Sequence, residues 1–211
     1  MSTNDLIDKL CDDAKPVKEI CCPFQRAFGW FFFALLCVSV GTAVSGIDLT
    51  GWQKDPLWFA IETAMLVLIA LLSACGAFLL SIPCRGKSIL TKIIPVIPLL
   101  LWALLLIIQM SLEPKQPISA LASHGAGCVT GLLVLAIIPG IVLFIMIHRA
   151  APVKLGWTGL LGLVAALAVA SSGLQFLCPL RSAAHLMMWH LLPIVIIGSL
   201  GIWLGKRFLR W

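Results

Sequence analysis

Charge is what this chain has least of. Aspartate, glutamate, lysine and arginine make up 11% of its 211 residues, where a soluble domain carries roughly a quarter. With 61% of the residues hydrophobic, there is too little polar sequence to coat a water-soluble core, so the apolar surface must meet lipid. Paired-cysteine motifs are missing too. The eight cysteines are scattered, with no CxxC among them, which excludes the usual zinc module and gives no sign of a disulfide scaffold. There is no P-loop, no HExxH, no GxSxG and no dinucleotide fingerprint. No enzyme and no cofactor is therefore expected. Nor is a cleavable signal peptide expected. The first apolar stretch starts near Ala27, after a leader carrying Asp5, Asp8, Asp12, Asp13 and Glu19, whereas a signal peptide has a short basic leader and a shorter apolar core.

What the chain does have is long apolar runs. Crossing the hydrocarbon as a helix takes about 20 residues at about 1.5 Å each. Six stretches qualify: Ala27–Ile47, Phe59–Ile82, Ile93–Leu112, Ala126–Ile147, Gly156–Leu177 and Leu186–Gly205. In lipid the backbone must satisfy its own hydrogen bonds, so these are read as helices. The expected fold is all-α: a polytopic bundle of six transmembrane helices over 27–205, with a leader at 1–26 and a basic tail at 206–211. Glu62 is the one Asp, Glu, Lys or Arg within the six stretches, and its position near a helix end assigns it to snorkelling toward the interface.

Lysine and arginine give the orientation. The leader holds Lys9, Lys15, Lys18 and Arg26. The loop after the second stretch holds Arg85, Lys87 and Lys92, the loop after the fourth Arg149 and Lys154, and the tail Lys206, Arg207 and Arg210. The other three loops hold one cation each, Lys54, Lys115 and Arg181. Positive charge collects on the cytoplasmic side, so both termini are expected there. The net charge of +6 thus follows membrane topology, and no direct nucleic-acid contact is expected. Trp30, Trp58, Trp157, Trp189 and Trp203 fall near helix ends, as interfacial anchors do. Small residues at Gly127/Gly131, Gly162/Ala166/Ala170 and Gly201/Gly205 allow close helix contact, and Pro95, Pro98, Pro139 and Pro193 are expected to kink their helices.

The leader is the one sizeable soluble piece. Ser2 and Asp5 resemble a capping box. Leu6, Ile7, Leu10, Cys11 and Ala14 then share one helical face, opposite Asp8, Lys9, Asp12 and Asp13, and Pro16 ends the run. This amphipathic helix is too acidic to favour an anionic membrane surface, which leaves a partner-docking segment or a solvated tether.

Two cysteines lie at the extracytoplasmic boundary under this topology: Cys128, starting the fourth stretch, and Cys178, closing the fifth. A thiol pair in an oxidising compartment forms a disulfide or binds a soft metal. By position alone, two packed small buried side chains are the simpler reading. His124, His185 and His190 gather at the same boundary and are candidate accessory metal ligands. His124 and Cys128, four apart, share a helix face. His185 and His190, five apart, are not expected to align. Cys21 and Cys22 precede the first stretch on the reducing side, and Cys37 and Cys75 are expected only to pack.

The order of these features resembles a known family. Asn4-Asp5-Leu6-Ile7-Asp8-Lys9-Leu10 opens the chain, and a cysteine stands at the outer end of the fourth helix. Arg149-Ala-Ala-Pro152 follows, then Cys178-Pro179, Ala184-His185…Trp189-His190, and Leu204-Gly-Lys-Arg-Phe-Leu-Arg-Trp211. The chain is similar throughout to the NrsF-type negative regulators of the sigma-F class of extracytoplasmic-function (ECF) sigma factors. The resemblance implies an anti-sigma factor of a bacterial inner membrane that holds its ECF sigma factor until heavy metal or oxidant engages two extracytoplasmic cysteines. Cys128 and Cys178 match those positions as sensor thiols and transient metal ligands, and Leu6, Ile7 and Leu10 are the expected sigma-factor contacts. Cys11, Cys21 and Cys22 depart from the pattern. Two rival classes remain: a membrane thiol–disulfide oxidoreductase, which wants a second exchanging pair, and a metal permease, which wants polar ligands along the bundle interior.

Overall fold

The computed structural model describes residues 3–12, 22–82, 89–113, 125–150 and 152–210. Among these the regular structure is entirely helical. The elements are α1 (Thr3–Asp12), α2 (Pro23–Ser45), α3 (Thr50–Lys54), α4 (Pro56–Leu80), α5 (Leu90–Ile93), α6 (Val96–Leu112), α7 (Gly125–His148), α8 (Leu155–Leu174), α9 (Ala183–Leu186), a π-helical turn (Met187–Leu191) and α10 (Leu192–Phe208). Among the described residues six helical segments are long and apolar enough to cross a membrane: α2, α4, Leu90–Leu112, α7, α8 and Ala183–Phe208. These correspond one to one with the six expected stretches.

Local chemistry sets the ends. Pro23 and Pro56 stand in the first turns of α2 and α4, where a missing N–H costs nothing. Asp55 caps α4 through its carboxylate, which accepts from the Trp58 N–H at 3.3 Å. Gly46 closes α2 at φ +94°, a backbone region that a side chain would strain. Pro95 separates α5 from α6, as the proline pattern predicts.

The fifth span, α8, is the hub. Every residue from Val164 to Leu174 is buried, and α8 packs against α2, α4, α7 and α10. It is rich in Ala, Gly and Ser (Ala165, Ala166, Ala168, Ala170, Ser171, Ser172, Gly173) because small side chains let four neighbours approach one axis. The tightest approach is to α10. A Cβ on Gly201 would lie 2.4 Å from the Gly159 carbonyl oxygen, and one on Gly205 would lie 2.2 Å from that of Leu155. Gly159 is the unannounced partner of the Gly201/Gly205 motif. Backbone meets backbone here, so no side chain can move aside. Gly201→Leu is expected to cost at least the roughly 1–3 kcal/mol of ordinary overpacking, read as a fall in the thermal unfolding midpoint of the detergent-solubilised protein; an unchanged midpoint would contradict this packing.

Two aromatic and ionic expectations are corrected. Trp30 is not an interfacial anchor. It is buried, and its indole Nε1–H donates to the Pro139 carbonyl of α7 at 2.9 Å; a buried indole N–H needs a partner, and α7 supplies it. Glu62 does not snorkel. It is buried and paired with Arg181 at 2.5 Å.

The spans alternate, so the bundle has two distinct ends. At one, Arg26 at the start of α2 donates to the Met146 carbonyl of α7 and stacks 4.9 Å over Phe78 of α4, while Lys92 stacks on Trp157. At the other, the Asp48 N–H donates to the Phe176 carbonyl at 2.7 Å, and Glu62 meets Arg181. The expected leader helix forms as α1, with Leu6 and Ile7 exposed. Pro16, Cys21, Cys84 and the side chain of Leu10 lie outside what is described.

Candidate thiol and metal site

Four donor side chains converge at the end of the bundle that carries the Glu62–Arg181 pair. Cys128 sits in the first turn of α7. That turn starts against Trp189: a Cβ on Gly125 would lie 2.1 Å from the indole ring, so glycine is what lets α7 begin here. Cys178 follows the end of α8. The N–H groups of Leu177 and Cys178 both donate to the Leu174 carbonyl at 3.0 Å, which closes the helix and fixes the cysteine. Pro179 then prevents the chain from continuing as helix. The two Sγ atoms are 3.4 Å apart, both thiols are free, and both residues are buried. The expectation that they are spatial neighbours is met.

His185 joins them. The Ser182 hydroxyl caps the turn that carries it, accepting from the His185 N–H at 3.4 Å, and the Glu113 carboxylate accepts from the Ala183 N–H at 3.0 Å. The imidazole Nε2 lies 3.5 Å from Cys128 Sγ and 3.4 Å from Cys178 Sγ. His190 completes the set: donor atoms of Cys128, Cys178, His185 and His190 all lie within 4.8 Å of one another, and all four residues are buried.

The convergence of His185 and His190 overturns the sequence expectation. On a regular α-helix, residues five apart point about 140° away from each other. Met187–Leu191 is instead a π-helical turn, whose i→i+5 spacing brings such residues to one face, and the two rings stand 5.9 Å apart. Pro193 gives the physical reason. It offers no N–H to the Trp189 carbonyl and its ring would strike that carbonyl in a regular helix, so a widened turn precedes it. A proline three residues after His190 was the available signal. Single-turn π segments are frequent at functional sites.

The His190 ring is oriented. His190 Nδ1 pairs with the Ser171 hydroxyl of α8 at 3.3 Å. That leaves its Nε2 buried and without a hydrogen-bond partner among the described residues. Ser171 was not singled out by sequence; one serine in a small-residue helix carries no mark. The Cys178 thiol is held well below its ordinary pKa, chiefly by the hydrogen bond from Cys128 and further by His185 and His190, against the opposing effect of burial. One sulfur of the pair is therefore primed as thiolate, the form that binds metals and attacks oxidants.

Around the tetrad lies a polar buttress. Arg181, three residues beyond Cys178, pairs with Glu62 at 2.5 Å, donates to the Gln175 side-chain oxygen, and stacks 4.6 Å over Phe59. Gly51 makes room for it: a Cβ there would lie 2.8 Å from Arg181 Cδ. Gly51, Phe59, Glu62 and Arg181, together with Trp58, Gln109 and Glu113, line a cavity of about 250 Å³. Of the predicted ligands, Cys128, Cys178, His185 and His190 are brought together, and His124 lies outside the described residues.

The family model described as negative regulator of sigma F matches residues 10–211, nearly the whole chain. No curated protein and no solved structure matches it.

Proposed function

The chain belongs to the NrsF family, the negative regulators of sigma F, and from that premise we propose that it is a membrane-bound anti-sigma factor that releases an ECF sigma factor when Cys128 and Cys178 are engaged by a soft metal or an oxidant. Cytoplasmic termini, inner-membrane location and stress sensing are part of this proposal. The sorting of Lys and Arg between loops supports it, because that sorting puts residues 1–26 in the compartment of RNA polymerase and both thiols across the membrane from it. The observation that carries the sensing half is the thiol contact itself, 3.4 Å between Sγ atoms in a buried setting.

The leader is the proposed sigma-binding element. Its helix α1 presents Leu6 and Ile7 to the surroundings, with Leu10 three to four residues on from them, the spacing that lets an amphipathic helix dock one apolar face in a groove. Coupling across the bundle has a physical carrier in α7. That helix bears Cys128 at one end, receives the Trp30 indole at Pro139, and receives the Arg26 guanidinium at Met146. A shift of Cys128 along or about α7 therefore bears on α2, whose start adjoins the leader. Because the thiols already touch, ligand engagement works by reshaping the tetrad and not by drawing distant helices together.

Pull-down of the detergent-solubilised protein with a co-expressed ECF sigma factor tests the binding half. Deleting residues 1–16 is expected to reduce capture to background. Burying a Leu or Ile is worth about 1.5–3 kcal/mol, so Leu6→Asp with Ile7→Asp is expected to weaken capture by on the order of 100-fold or more. Capture that survives the deletion would remove the leader from this role.

A further inference from the structure

Beyond the two thiols, we propose that Cys128, Cys178, His185 and His190 form a four-coordinate site for a divalent d10 cation, zinc or cadmium, with two thiolate sulfurs and two imidazole nitrogens as the complete ligand set. The inference deepens the sensor reading and rests on it for its physiological consequence, though not for the binding itself.

Three observations carry it. The first is the edge lengths. With metal–sulfur bonds of about 2.3 Å and metal–nitrogen bonds of about 2.0–2.1 Å, a tetrahedron has sulfur–sulfur edges of about 3.8 Å and sulfur–nitrogen edges of about 3.5 Å. The thiol pair stands at 3.4 Å and the His185 nitrogen at 3.4 and 3.5 Å from the sulfurs. A disulfide, at about 2.05 Å, would require the sulfurs to close by more than an ångström; a tetrahedral cation needs only a few tenths from Cys128, Cys178 and His185, with His190, whose donor atom lies within 4.8 Å of the other three, moving in as the fourth ligand.

The second is the orphaned nitrogen. His190 Nε2 is fully enclosed and has no hydrogen-bond partner among the described residues, while Ser171 holds the opposite ring nitrogen at 3.3 Å. Buried polar atoms are rarely left unpaired, and a ligating imidazole is characteristically held by a hydrogen bond on its other nitrogen. Ser171 and His190 have that arrangement.

The third is charge. Binding releases to water whatever thiol proton the pair still holds, and the divalent cation then meets two thiolates and two neutral imidazoles. The assembled site is neutral. In a buried end of a bundle, where an uncompensated charge is costly, a neutral assembly is the favoured one.

Cobalt(II) titration of the full-length protein in detergent, reduced and stripped with chelator, tests the site. One cobalt per chain is expected, with the intense visible d–d bands of a tetrahedral ion and a thiolate-to-cobalt charge-transfer band, both displaced by zinc or cadmium. His185→Asn and His190→Asn are each expected to weaken binding by more than the roughly 10- to 100-fold that losing an outer-shell partner costs. His190→Cys is expected to retain tetrahedral bands with a stronger charge-transfer band, which guards against misfolding as the cause of the asparagine results. Weak octahedral bands in the unaltered protein, or histidine variants that bind like it, would overturn the proposal. Cadmium-triggered release of captured sigma factor separates it from the sensor reading. Release that needs the cysteines but occurs without the tetrahedral bands overturns the four-ligand site alone. Bands with release indifferent to the cysteines overturn the sensor reading alone.

Discussion

Replacing Cys128 and Cys178 together by serine is expected to leave sigma-factor capture intact and to abolish induction of the target genes by cadmium or dichromate. Serine is close to cysteine in shape, so two buried positions keep their packing, and its hydroxyl can still reach the His185 nitrogen that lies 3.4–3.5 Å from both sulfurs. What serine cannot do is ionise near neutral pH, ligate a soft cation, or form a sulfur–sulfur bond. Shifting an equilibrium from almost wholly bound to almost wholly free takes about 5.5 kcal/mol of differential binding. Thiolate–imidazole sites bind zinc with apparent free energies of about 10–16 kcal/mol, so a site that binds one bundle conformation better than another has enough to draw on. Each single serine variant is expected to lose most of the response as well, because neither a disulfide nor a two-sulfur chelate survives the loss of one partner. The measurement is a transcriptional reporter with and without metal. Normal induction in the double variant would end the sensor assignment. A reporter that is high without any metal would show that the thiols serve only to hold the resting structure.

How much of this was legible in the sequence follows from which constraints are local. Span lengths were, because membrane thickness and apolar composition set them residue by residue, and the six helices fall where the apolar runs lie. The nearness of Cys128 and Cys178 was legible for a related reason: both stand at the same ends of neighbouring spans. Facing relations were not. Glu62 looked like an end-of-helix snorkelling residue because its partner, Arg181, is 119 positions away in a loop that gives no sign of folding inward. Trp30 looked like an interfacial anchor because nothing nearby in sequence announces the Pro139 carbonyl it reaches. The His185–His190 pair failed for a different cause. Helical periodicity assumes a uniform helix, and a single π turn resets the register of everything beyond it. Gly159 was missed because a small-residue motif was visible on α10 while its backbone partner on α8 sits among many other small residues.

The Glu62–Arg181 pair carries the other large expected effect. Both side chains are almost wholly buried, at 4% and 15% exposure, and the arginine is further held by Gln175 and by the face of Phe59. Removing one member of a buried pair leaves the other charge without compensation, which typically costs about 3–5 kcal/mol. Arg181→Met is therefore expected to destabilise the bundle by about that amount, read by denaturant unfolding of the solubilised protein. Adding Glu62→Gln to it is expected to recover most of the loss, because the stranded carboxylate is then gone. Arg181→Lys keeps the charge but not the forked donor geometry that spans Glu62 and Gln175, so an intermediate loss is expected. A double variant no more stable than Arg181→Met alone would show that the ion pair is not what the arginine contributes. The position of Arg181 gives the experiment a second readout. It lies three residues beyond Cys178, on the loop that Glu113 and Ser182 join to the His185 turn, so loosening it frees the segment between two of the four ligands. Cobalt affinity in Arg181→Met is accordingly expected to fall by the roughly 10- to 100-fold associated with lost outer-shell support, even at temperatures where the bundle remains folded.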